Sequence, residues 1–331
     1  MPRFILRRAY FAILTILLVS IVVYGVFSLL PFDPAALTCG QKCTPAIVEA
    51  NRVKLGFDKP LWEQYWLFLS GIFLGRTYGA GSAEFTCPAP SFGYSFNENT
   101  CVTDMLKEAL PVTINLAIGA FVIWMVVGVG LGLIAAKFRG RYPDTLSSVF
   151  VLLGTSLPTF VTGLFFLIYV TIKWKIVPLS LSGYVSVFDD PVRYFQYFIL
   201  PWLTLAILYA AFYTRFTRAT VLETLGEDYI RTARAKGLSE KTVLLKHTMR
   251  AALAPITTSA SLDIAGLIGG AIITESIFNL AGLGRMTLQS VYEFDLSVVV
   301  ATTILAATVV ISMNLIVDIA YGYLDPRVRV K

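Results

Sequence analysis

Residues 228–253 read DYIRTARAKGLSEKTVLLKHTMRAAL, a basic, helix-prone stretch with one glycine, Gly237, near its middle. It contrasts with its surroundings. Of the 331 residues, 56% are hydrophobic and only 15% charged, with a mean hydropathy of +0.71. A soluble domain carries about 25% charged residues. The shortage of charge excludes an ordinary soluble protein and points to an integral membrane protein. The formal charge of +6 would also suit a nucleic-acid partner, but its distribution along the chain follows membrane orientation instead.

Within the quoted stretch, Glu223 to Lys236 offers good helix formers and no proline. Gly237 supplies the left-handed backbone that ends a helix. Ser239 is placed to cap a second helix, with Glu240 in its first turn, where the dipole favours negative charge. That helix is expected to run on to Pro255. The spacing therefore predicts helix, sharp corner, helix, with Arg231, Arg234, Lys236, Lys241 and Lys246 exposed. A loop resting on anionic headgroups would explain the charge, at about 1 kcal/mol per residue. A docking element for a cytosolic protein explains both the charge and the mixed acidic and apolar residues of a structured corner. His247, the single histidine, belongs to that surface rather than to a catalytic centre.

Six stretches reach the ~20 apolar residues that a membrane helix needs: roughly 9–30, 111–136, 146–172, 195–214, 254–278 and 296–323. The first follows Arg3, Arg7 and Arg8 as a signal peptide would, but its apolar run is longer and no small-residue cleavage site follows, so it reads as a retained helix. With the N-terminus inside, residues 1–8, 137–145, 215–253 and 324–331 are cytoplasmic and hold 17 of the 27 Lys and Arg residues. This positive-inside asymmetry places both termini and the quoted stretch in the cytoplasm. The domain reading is then a cytoplasmic N-terminus and first span (1–30), an extracytoplasmic segment (31–110), a five-helix core (111–323) containing the cytoplasmic loop 215–253, and a cytoplasmic tail (324–331).

All four cysteines, Cys39, Cys43, Cys87 and Cys101, fall in the extracytoplasmic segment, where thiols oxidise. Two disulfides are expected. Three pairings are open, with Cys39–Cys43 and Cys87–Cys101 the first choice. A metal site is the weaker alternative, because the one histidine, His247, falls on the opposite side of the membrane from the cysteines. Trp62, Tyr65 and Trp66 are spaced for one face of a short helix on the outer leaflet.

Several motifs together resemble one family. RTARAKGL (231–238) followed by LLKHTMRAALAPI (244–256) is similar to the cytoplasmic loop of ABC importer permeases, more narrowly the B-type subunit of dipeptide and oligopeptide importers. LGFDKPLWEQY (55–65), ALPVTINLAIGA (109–120), SLPTFVTGL (156–164), GGAIITESIFNLAGLG (269–284) and LDPRVR (324–329) resemble that subfamily in the same order. Arg231-Thr232-Ala233 stands where the general loop begins Glu-Ala-Ala, Arg76 stands where the subfamily has an acidic residue, and residues 81–101 look like an insertion.

The resemblance implies an all-α membrane protein with six transmembrane helices in the type I importer permease fold, carrying an extracytoplasmic loop domain after the first helix. It implies a non-catalytic subunit forming half of the pathway for di- or oligopeptides. The expected partners are a second, related permease, two cytosolic ABC ATPase subunits, an extracytoplasmic substrate-binding protein and the lipid bilayer, with no nucleic acid. The chain has no G-x-x-x-x-G-K-S/T phosphate loop, so no cofactor is expected here, and ATP and Mg would be held by the partner ATPases. Coupling to them would fall to Arg231, Ala233, Arg234, Lys236, Gly237, Leu238, Ser239 and Lys241. When the ATPases close on ATP, this corner would move and tilt the spans continuous with it.

Ionisable residues within spans are costly and functional by default. Asp263 and Glu275, in the fifth span, are candidates to face the pathway and meet a peptide amino group. The alternative, bonding to neighbouring helices or a helix end, is the simpler reading for Glu275 and for Asp318 in the sixth span, while the two stand level for Asp263. Close helix approach is expected at the glycines of 128–132 and 266–271. A secondary transporter would have more spans, internal repeats and broken helices with midplane charges. An intramembrane enzyme would need a nucleophile–base or metal cluster within a span, and a non-moving receptor or scaffold would not need glycine-rich spans. Nickel complexes and oligosaccharides are alternative cargoes.

Overall fold

In a computed structural model the chain is described over residues 2–28, 34–37, 44–56, 58–78, 85–95, 97–177 and 183–324. Cys39, Cys43 and the tail 325–331 lie outside these residues. Among the described residues, five helices are long and apolar enough to cross a membrane, or six if one sharply bent pair is a single span.

The chain divides into two compact units. The first takes Met1–Thr113, Ile268–Ile272 and Ala281–Lys331. Its long helices are α1 (Pro2–Ser28) and α14 (Leu296–Leu324). They run antiparallel: Val23, Tyr24 and Phe27 pack near Val300 and Ile304, while Arg8 pairs with Asp318 at 2.7 Å near the opposite ends. Asp318 is thus bonded to a neighbouring helix. Helices α2 (Pro34–Leu37), α3 (Pro45–Leu55) and α4 (Leu61–Leu74) follow α1. On α4, Trp62 and Trp66 are exposed at 71% and 64%. Tyr65 does not share their face: its hydroxyl lies 2.8 Å from Ser20 Oγ and its ring packs edge-on against Tyr24. At about 100° per residue Tyr65 stands roughly 60° from Trp62 and 100° from Trp66 around the helix, and here that is enough to reach α1.

Two small antiparallel hairpins come next, β1 (Arg76–Tyr78) with β2 (Phe85–Cys87) and β3 (Tyr94–Ser95) with β4 (Thr100–Cys101). Cys87 and Cys101 form a disulfide that joins them, the pairing expected from the sequence. Stacking of Tyr78, Phe85 and Tyr94 fills the space between the hairpins. Ser95 donates to Asp295 Oδ2 at 2.5 Å, and Asn97 donates to the carbonyl of Glu293. These bonds tie the insertion to the turn between α13 (Leu283–Tyr292) and α14. Burial raises the pKa of Asp295 above the usual carboxylate range, against the opposing bond from Ser95.

The second unit takes Ile114–Leu267 and Ile273–Leu280. Its hub is α8 (Pro191–Leu225), packed against the later part of α5 (Val102–Lys137) and against α6 (Tyr142–Ser156). Glycines set the spacing. A Cβ on Gly128 would come within 2.7 Å of Tyr213, on Gly132 within 2.6 Å of Thr217, and on Gly154 within 2.7 Å of Ala211. The expected close approach at 128–132 is therefore made inside the chain. Gly266 meets nothing within 4 Å.

The third span differs from its sequence reading. It is not one rod over 146–172: α6 and α7 (Thr159–Phe165), which continues as a wider turn through Lys173, meet at 96°. Pro158 forces Leu157 out of helical backbone (ψ 120°), which ends α6. The fifth span also ends early. Helix α11 (Met249–Ile268) stops before Gly270, whose φ of +125° no helix accepts, and α12 (Ile272–Ile277) restarts beyond it. Gly270 is also where Gly284 Cα would stand 2.8 Å from an added Cβ.

Candidate functional site

The basic stretch folds as a corner. The sequence suggests one helix from Glu223 to Lys236, whereas α8 ends at Leu225 and α9 (Asp228–Ala235) begins anew. Gly226 lies in the break, and Glu227 and Asp228 bring negative charge to the new N-terminus. Gly237 has φ +75°, and the amide of Leu238 donates back to the carbonyl of Ala233 while that of Gly237 donates to Arg234. This is the left-handed helix ending that glycine permits. Ser239 then caps α10 (Glu240–Thr242), its hydroxyl accepting from the amide of Thr242. Helical backbone continues through Thr248 into α11. Pro255 lies inside that helix rather than at its start.

The corner has its own small core. Ile230, Ala233 and Val243 are buried together, with Leu225 against them. Arg234 bridges the corner to Glu240 through two bonds, Nε at 2.8 Å and Nη2 at 3.3 Å. Arg231 pairs with Asp228 at 3.3 Å. Arg231, Arg234, Lys236, Lys241 and Lys246 are all exposed, as are Gly237, Leu238 and Ser239, whereas Ala233 lies beneath the corner. His247 is half-buried on the second helix. The shape is therefore held internally, and its outer face is cationic.

The two carboxylates of the fifth span part company. Glu275 is fully buried on α12. Asp263 is half-buried on α11, where the Tyr213 hydroxyl donates to its Oδ2. Tyr213 and Tyr209, one turn apart on α8, both stack on Trp124 of α5, at 6.5 Å and 4.5 Å between ring centroids. Sequence reasoning singled out Asp263 but not these aromatic partners. Nothing in the one-dimensional pattern distinguishes Tyr209 and Tyr213 from the other aromatic residues of α8. Among the described residues no group of three or more His, Cys, Asp or Glu side chains could hold a metal ion.

Comparison with known proteins agrees with this architecture. Residues 128–330 match the family described as binding-protein-dependent transport system inner membrane component, and residues 1–117 match the N-terminal region of the same class of membrane component. The glutathione transport system permease protein GsiC of Escherichia coli (strain K12) is 35% identical over 331 residues, covering 100% of both chains. A protein provisionally named a peptide transport system permease, from Brucella abortus (strain 2308), is 38% identical over 334 residues and 99% of both chains. Among solved structures, the inward-facing methionine ABC transporter MetNI is similar with a TM-score of 0.51 at 18% identity, over 67% of this chain and 97% of that one. That likeness supports the type I importer permease fold. The chain belongs to the binding-protein-dependent transport system inner membrane components, the multi-pass permease subunits of ABC importers.

Proposed function

We propose that this permease forms half of the pathway for a short peptide, pairs with a second, related permease, and takes its driving force from two cytosolic ATPase subunits docked on the corner around Gly237. Both termini and the corner lie on the cytoplasmic side, and residues 31–110 on the extracytoplasmic side, where a substrate-binding protein delivers cargo. ATP and Mg are held by the ATPases, and this chain performs no chemistry of its own. The named relatives support a peptide cargo, glutathione being itself a tripeptide.

The observation that carries the reading is the continuity of the corner with its spans. The corner follows α8 across the single break at Gly226 and runs without interruption into α11. Its core and the Arg234–Glu240 bridge keep it stiff. A push on its exposed cationic face is therefore delivered to two spans together, and rigid-body tilting opens the pathway alternately to the two sides. Arg231, Lys236 and Lys241 meet acidic groups on the ATPase, Arg234 both stiffens and faces it, Leu238 gives an apolar contact, and Ala233 and Ser239 hold the shape.

Reconstitution of the assembled complex in proteoliposomes tests this. ATP-driven accumulation of a labelled tripeptide in the presence of the binding protein is expected. A chain that purifies without any ATPase subunit, or transports with an ion gradient alone, overturns the reading.

A further inference from the structure

Asp263 is a carboxylate with no ion-pair partner among the described residues. It lies roughly 14 Å along α11 from Ala254, within the apolar span Glu240–Ile268. The ion pairs of the described residues involve Asp104, Asp144, Asp190, Asp228, Asp318, Glu49 and Glu240, and Asp263 is in none of them. The Tyr213 hydroxyl fixes one carboxylate oxygen, but a hydroxyl supplies no counter-charge. The side chain is half-open. A carboxyl group within an apolar span does not face acyl chains, so the open side of Asp263 meets either water or another polypeptide.

The surroundings narrow what it takes. Tyr209 is itself half-open and lies one helical turn before Tyr213, whose hydroxyl donates to Asp263. Its ring is backed by Trp124, which is fully buried and whose Nε1 has no hydrogen-bond partner. A buried stack behind one aromatic face holds that face still. A fixed aromatic face beside a carboxylate is the arrangement that recognises an ammonium group: the ring quadrupole and the formal charge both attract it, and an N–H donor fits the free carboxylate oxygen.

We propose that Asp263 and Tyr209 form a transient binding site for the protonated amino terminus of the cargo peptide, with Tyr213 as the positioning residue that orients the carboxylate. This rests on the peptide-permease reading above. The site is a way-station: one charge and one ring face hold an amine long enough to draw it from the mouth into the apolar span, and weakly enough to let it go.

Two substitutions separate this from a packing role. D263N removes the charge and keeps an acceptor for Tyr213; Y213F removes the bond and keeps the charge. The assembled complex in proteoliposomes, with its binding protein saturated by tri-alanine, is assayed for both uptake and ATP hydrolysis. D263N is expected to lower uptake by about tenfold or more while ATP hydrolysis continues, the loss of one charge-assisted contact. D263E is expected to stay within about threefold of the parent, and Y213F to fall between the parent and D263N, because it frees the carboxylate without removing it. Unchanged uptake by D263N, or equal losses in D263N and Y213F, overturns the site. A parent complex that hydrolyses ATP but does not move tri-alanine overturns the peptide reading itself, and the site falls with it.

Should D263N fail to assemble, a measurement on the unmodified complex decides. A tripeptide with a benzophenone side chain on its first residue, irradiated during ATP-driven turnover, is expected to label the segments containing Tyr209–Tyr213 or Asp263. Labelling of this chain confined to other helices overturns the proposal.

Discussion

Arg218 on α8 and Asp144 on α6 are joined by two parallel hydrogen bonds, Nε to Oδ1 at 2.7 Å and Nη2 to Oδ2 at 2.9 Å. Asp144 Oδ2 also accepts from the amide of Gly140. One carboxylate thus fastens the turn after α5, the start of α6 and the end of α8 that leads to the corner. The carboxylate is nearly enclosed, with 10% of its side chain exposed, while Arg218 retains 34%.

Breaking this clamp should cost more than its pairwise attraction, because R218A strands an enclosed charge. Roughly 1–3 kcal/mol is expected, below the figure for a fully buried pair because Arg218 is partly solvated. R218K should fall between, since lysine cannot form the two-pronged contact. Thermal unfolding of the purified complex measures this, and an R218A complex as stable as the parent would contradict it.

Gly237 should be limited by backbone geometry, not space. An added Cβ meets nothing within 4 Å, but φ is +75°. G237A should cost about 1–2 kcal/mol locally, and G237V more, whereas G237N, whose side chain tolerates this region, should be mild. G237V is expected to uncouple the machine: fewer peptides moved per ATP hydrolysed, with the subunits still assembled. Normal uptake by G237V would remove the coupling role from the corner.

The Cys87–Cys101 bond closes a segment of sequence separation 14. Loop-closure entropy gives such a cross-link about 3 kcal/mol. C87S/C101S should therefore loosen the hairpins selectively, seen as faster hydrogen exchange or proteolysis over residues 85–101 and unchanged protection over 228–253. Unchanged protection over 85–101 in C87S/C101S would show that the aromatic stack alone holds the hairpins.

Asp295 should give the same lobe a pH dependence. Burial raises its folded pKa, so the protonated form is favoured on folding. The resulting stability is fully present below the usual carboxylate pKa of about 4 and is lost as pH rises through the higher folded value. Thermal unfolding followed across this window should show the slope in the parent and a flatter profile in D295N. Matching slopes would assign the titration to another group.

The apolar spans in outline, the corner at Gly237 and the oxidation of Cys87 and Cys101 were legible in residue order because each follows from local chemistry. Apolar length marks a membrane helix, a glycine before a serine cap marks a corner, and cysteines on one side of the membrane oxidise together. Only the tertiary structure decided the rest. It turned α6 from α7 by 96° at Pro158, ended the fifth span at Gly270, turned Tyr65 inward to α1, stacked Tyr209 and Tyr213 on Trp124, and bonded Tyr213 to Asp263. It also matched Arg218 to Asp144, residues 74 positions apart. A helix records in sequence which of its own faces is apolar, but the partner of each polar side chain depends on which helix packs beside it and at what height. That is set by glycine contacts between α5, α6 and α8, and no single element contains the information.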